Sequence, residues 1–223
     1  MYKRQLINGL EMLAAMPGST LNAGTFVVRE VALDRNRDMV GRTLGDIAAE
    51  RGTTPAELFI DLAVEEDLGT WFTRAEIGHA DPKAVGELLA HPYVHVGASD
   101  GGAHVGSFAT YGDTGYLFSR FVRDTGALRL EEAVKKITSD TCAIWGLPDG
   151  GFVREGYAAD LTVFDPVTID RGPEVASDDF PGKGLRWIRR SVGMEAVVVG
   201  GTVTWSAADG YVRGARAGVI ASR

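Results

Sequence analysis

The sequence predicts an α/β chain in which βα units of a parallel sheet or barrel come first and a small all-β domain comes last. Three observations predict it. Amphipathic helical stretches alternate with short β-rich runs through the first half, helical periodicity disappears after about residue 147, and glycines, prolines and aspartates then punctuate short valine-rich runs. The expected division is residues 1–146 and residues 147–223.

Thr54-Pro55-Ala56-Glu57 has the form of a capping box with proline at the first helical position, and Leu58, Phe59, Leu62 and Ala63 follow at helical spacing. Asp81-Pro82 opens a second helix with Val85, Leu88 and Leu89 as its expected buried stripe. Tyr93 to Ala98 reads as a short strand entering the turn Ser99-Asp100-Gly101-Gly102. Helices are expected from about Thr114 to Arg123 and from Leu130 to Thr138, with a short helical turn ending at Gly146. In the tail, Ala159 to Phe164, Trp187 to Arg189, Ala196 to Val199 and Thr202 to Trp205 read as strands. Gly200-Gly201 between the last two is a two-residue hairpin signal.

With 223 residues, 45% of them hydrophobic, the chain has enough apolar surface for a sizeable core. The net charge of −7 comes from interspersed acidic and basic residues, and no basic stripe is present to track a phosphate backbone, so no nucleic-acid partner is expected. Asn8 and Glu11 interrupt the apolar character of residues 1–16, and no run approaches the roughly 20 apolar residues of a membrane helix, so no membrane partner is expected. Cys142 is the single cysteine, which leaves a cytoplasmic location as the expectation. Beside Ala143, Ile144 and Trp145, that cysteine is expected to pack in the core.

The stretch Val96 to His104 concentrates the chemistry. A carboxylate just past a strand end, beside glycines that permit close backbone approach, is the arrangement barrel enzymes use for catalysis. Asp100 is thus the catalytic candidate, with Gly101, Gly102 and His104 as candidate substrate contacts. The competing reading is an Asx turn, in which Asp100 only bonds its own backbone. Strand parity puts Asp100 on the face of Val94 and Val96 and turns His95 the other way, to be packed under a helix. His91-Pro92 reads as structural. Asp100 and His79 are the candidate metal ligands, and a hydrolytic zinc needs three or more. The chain alone is therefore expected to hold no catalytic metal.

Four stretches together resemble the C-terminal portion of N-acyl-D-amino-acid deacylases of the amidohydrolase superfamily. They are Val40 to Ala48, Ser99-Asp100-Gly101-Gly102-Ala103-His104, Leu130 to Val134, and Gly156 to Asp165. The resemblance implies the last part of a (β/α)8 TIM-type barrel followed by a β-sandwich, with Asp100 delivered by the final barrel strand. It implies a divalent metal, zinc, in the parent enzyme, and a small-molecule amide as substrate. Asp100 would move a proton from water to the leaving nitrogen. The family's histidine ligands would precede residue 1, so the chain by itself is expected to be an inactive fragment. Met1-Tyr2-Lys3-Arg4-Gln5 is what the transposon-end adapter of sequencing libraries encodes when its GTG is read as a start codon, and these five residues are expected to be an assembly artefact. Two alternatives stay open: a non-catalytic short chain that binds a partner, and a deaminase or cyclic amidase of the same superfamily. Oligomerisation is compatible with each.

Overall fold

The computed structural model describes residues 2–17, 19, 21–74, 81–97 and 99–219. They fall into two units, residues 1–80 and residues 81–223.

In the first unit, helix α1 (Tyr2–Ala14) is followed by strand β1 (Val27–Glu30), helices α2 (Leu44–Arg51) and α3 (Pro55–Glu65), and strand β2 (Trp71–Thr73). Both internal helices start where side-chain oxygen replaces missing backbone partners. Thr43 accepts from the Asp46 N–H at 3.1 Å and Thr54 from the Glu57 N–H at 3.2 Å. The Glu57 carboxylate accepts from the Thr53 hydroxyl at 2.8 Å. Helix α2 ends on Gly52 in the left-handed region, at φ 65°, as a side chain-free residue does at low cost. Removing the Thr54 cap by Thr54→Ala should lower stability by about 1 kcal/mol. Urea denaturation measures this, and a loss below a few tenths of a kcal/mol would show that water serves the helix end equally well.

The helices and β1 bury one apolar cluster: Val28, Met39, Leu44, Ile47, Ala48, Leu58 and Leu62. Phe26, Phe59 and Phe72 pack against it, with ring centroids 4.9 to 6.4 Å apart. Glu66, one residue past α3, is 4% exposed and draws four donors: the Ala32 N–H, the Leu33 N–H at 3.3 Å, the Asn36 amide at 2.7 Å and the Thr70 hydroxyl at 3.2 Å. Burial pushes its pKa up, but the hydrogen bonds together outweigh burial and hold it below the usual range.

In the second unit, α4 (Pro82–Ala90) is capped by Asp81, which accepts from the Lys83 and Ala84 N–H groups at 3.0 and 3.1 Å. Val85 and Leu89 pack inward, whereas Leu88 is 59% exposed, so the expected three-residue stripe is narrower than its spacing implied. Helix α5 (Asp113–Tyr116) runs on as a wider, π-type coil over Leu117–Asp124; α6 (Leu130–Ile137) and α7 (Ser139–Trp145) follow, the last ending on left-handed Gly146 at φ 69°. No residue of α7 is buried: Cys142 is half-buried and Ile144 and Trp145 are 55% and 60% exposed. The expectation of a core cysteine is corrected accordingly.

Six strands complete the unit: β3 (Leu161–Phe164), β4 (Asp170–Ser177), β5 (Arg186–Val192), β6 (Met194–Val199), β7 (Thr202–Ser206) and β8 (Gly210–Tyr211). They form a four-stranded sheet of order β3-β6-β7-β8 and a β4-β5 ribbon. Gly200 and Gly201 have φ of 53° and 79°, the doubly left-handed backbone of a tight hairpin, and Val199 pairs with Thr202 across them. The core is Leu117, Phe118, Phe121, Leu128, Ala133 and Ile169, with Phe164 and Met194 brought to it by the sheet. Among the described residues every strand pair is antiparallel, including β1 with β2.

Residues 93–97 are not a strand. Extended backbone is stable as a strand only when a neighbour takes its hydrogen bonds, and here the bonds go elsewhere. The Val94 N–H donates to the His91 carbonyl at 3.1 Å, and the Lys136 ammonium donates to the carbonyls of His91 and Val94 at 3.2 and 2.8 Å. The alternation of faces survives, because Val94 and Val96 are half-buried while Tyr93, His95 and Gly97 are exposed. His95 therefore faces outward and is not packed under a helix, which corrects the expectation.

Candidate functional site

Asp100 stands in a turn closed by its own carbonyl, which accepts from the Ala103 N–H at 2.8 Å. Gly102, at the third position of that turn, has φ 97°, a conformation that a side chain would strain. Its glycine is explained by the turn itself. The side-chain bond to the turn backbone comes from Ser99, whose Oγ accepts from the Gly101 N–H at 3.0 Å. Ser99 in turn donates to the Asp113 carboxylate at the start of α5. The Thr110 hydroxyl lies 2.6 Å from the Asp100 carbonyl oxygen and 2.8 Å from that of Ala103. Asp100 is exposed, and among the described residues its carboxylate makes no hydrogen bond or ion pair. The Asx turn is not formed; its place is taken by Ser99.

His104 has φ 55° and its ring stacks on Phe108, with centroids 5.5 Å apart and planes at 13°. Its carbonyl accepts from the N–H groups of Ser107 and Phe108 at 2.8 and 3.1 Å. The loop is pinned further along. The Val105 carbonyl accepts from the Trp187 N–H at 2.7 Å, and the Ala109 N–H donates to Glu174. Glu174 also meets Arg189 at 3.4 Å, both side chains largely buried. Glu174 escaped the sequence reading because β4 carries glycine and proline and has no clear alternation, and Thr110 and Asp113 because they reach the turn from ten and more residues away. Only Ser99 was foreseeable, as part of the turn motif.

His79 lies outside the described residues. Among the described residues no three His, Cys, Asp or Glu come together as a metal would require. No helix among them is long and apolar enough to cross a membrane.

The amidohydrolase family profile matches residues 10–205. The chain belongs to the amidohydrolase family. Among relatives of this amidohydrolase, the D-aminoacylase of Alcaligenes xylosoxydans xylosoxydans is 31% identical over 170 residues, 75% of this chain and 31% of that protein. The N-acyl-D-aspartate deacylase of the same organism is 28% identical over 80% of this chain and 32% of its own length. The amidohydrolase chain thus spans about a third of the length of these curated relatives. Its fold is like that of a D-aminoacylase variant solved in complex with copper chloride, with a TM-score of 0.50, 24% identity, and coverage of 99% of this chain and 46% of that one.

Proposed function

We propose that this chain supplies the proton-transfer carboxylate of an enzyme hydrolysing the amide bond of N-acyl amino acids of the D series. The observation that carries the reading is the state of Asp100. A carboxylate serving only its own turn would accept backbone N–H groups, whereas here Ser99 and Thr110 hold the turn and leave the Asp100 carboxylate exposed to an incoming molecule. The relatives named D-aminoacylase and N-acyl-D-aspartate deacylase supply the substrate class.

In this reading the Asp100 carboxylate takes a proton from water as its oxygen attacks the amide carbon. The same proton passes to the nitrogen, the C–N bond breaks, and a carboxylic acid, which then ionises to solvent, and a free amine leave. An amine is a poor leaving group without that proton, which is why a carrier within reach matters more than a strong base. Gly101 and Gly102 let the substrate backbone approach, and His104 on its stacked platform borders the same loop. The fold reading is that residues 1–146 belong to the family's barrel and residues 147–223 to its β-sandwich. A divalent metal, zinc by family resemblance, would supply the activated water of such an enzyme, and Asp100 and His79 are this chain's candidate ligands to it.

The test is to supply N-acetyl-D- and N-acetyl-L-amino acids to the protein encoded at its locus and follow release of free amine. Release from the D series is expected. No release from either series, with the protein folded, would overturn the reading.

A further inference from the structure

Asp100 is held in place by groups that never touch its carboxylate. The Thr110 hydroxyl lies between the carbonyls of Asp100 and Ala103, at 2.6 and 2.8 Å, and so spans the turn from one end to the other. On the other side Ser99 accepts from the Gly101 N–H and donates to Asp113, which begins α5. That helix continues into buried Leu117, Phe118 and Phe121, so Asp113 is fixed to the core of its unit. Thr110 is fixed independently, because its neighbour Ala109 is bonded to Glu174 of the β4-β5 ribbon.

We propose that Thr110, together with the Ser99–Asp113 pair, positions Asp100 for proton transfer, an inference that rests on the function proposed above. These contacts give the turn two supports, one at the start of α5 through Asp113 and one in the loop before it, which Glu174 of β4 pins at Ala109. Each spends its hydrogen-bonding capacity on backbone or on Ser99, so the reacting carboxylate stays free while its Cα is fixed. A proton carrier displaced by an ångström loses rate without losing substrate affinity, which separates positioning from binding.

The test compares Thr110→Val, which keeps the shape and removes the hydroxyl, with Thr110→Ser, which restores the hydroxyl. Hydrogen exchange at the Ala103 amide is read on the 223-residue chain, and kcat and KM for N-acetyl-D-amino acids are read on the protein encoded at its locus. Thr110→Val should speed Ala103 exchange and lower kcat, each about tenfold, with KM changed less than about twofold, and Thr110→Ser should recover most of both. If Thr110→Val fails to fold, Ser99→Ala takes its place against the same expectations. Faster exchange with unchanged kcat would overturn the positioning role, as would unchanged exchange. Full turnover in Asp100→Asn would instead overturn the proton-transfer reading on which it rests.

Discussion

Asp100→Asn should lower turnover of N-acyl amino acids by about 10²- to 10⁴-fold while leaving the fold unchanged. The substitution keeps the size and planarity of the side chain and removes only the site that accepts a proton. Because the carboxylate makes no internal hydrogen bond or ion pair among the described residues, no structural bond is lost with it. Circular dichroism and melting temperature should therefore match the wild type. The loss should fall on kcat, because the group acts on the reacting atoms and contributes little to ground-state binding. Wild-type kcat in Asp100→Asn would refute the assignment. A lost fold would show that the exposed carboxylate supports the structure after all.

Glu66→Ala should destabilise the first unit by about 3 kcal/mol or more. The carboxylate satisfies two backbone N–H groups, the buried Asn36 amide and the Thr70 hydroxyl, and buried donors left without acceptors cost roughly 1–3 kcal/mol each, less than additively. The same site predicts acid sensitivity. Its folded-state pKa is lowered, so its stabilisation is fully present above the ordinary glutamate value of about 4.3 and is lost as pH falls through the lowered value. Protonation would turn an acceptor toward donors that have no alternative. Denaturant midpoints measured from pH 7 down to pH 3 should fall in the wild type, and this component should be missing in Glu66→Ala. Parallel pH profiles would remove Glu66 as a source of the acid limb.

Local signals were legible where a few adjacent residues settle a conformation. Thr54-Pro55-Ala56-Glu57, Asp81-Pro82, Gly146 and Gly200-Gly201 start, stop or turn the chain as their residue types require, because caps and left-handed turns depend on atoms within four positions. Helix burial was less legible. Leu88, Ile144 and Trp145 sit at helical positions yet face outward, since spacing defines a face of the helix and not whether anything lies against it. Strand β4 was missed because Gly172 and Pro173 break its alternation; its partner β5 supplies the ladder that a sequence window does not contain. The strand expected at residues 93–97 failed for the converse reason, having the right composition and no ladder.

At the candidate site, the sequence by itself determined that Ser99-Asp100-Gly101-Gly102 would be a turn displaying a carboxylate, and that the chain resembles amidohydrolases, a family to which it belongs. It left open whether Asp100 serves its own backbone. The tertiary structure decided in favour of Ser99 as the partner of the turn, because Thr110 and Asp113, ten and more residues away, take up the remaining hydrogen bonds. It also turned His95 outward and set the His104 ring on Phe108. A turn is encoded by φ and ψ preferences of adjacent residues, whereas the freedom of a side chain depends on which distant donors and acceptors are already matched. That matching exists only once the chain has folded.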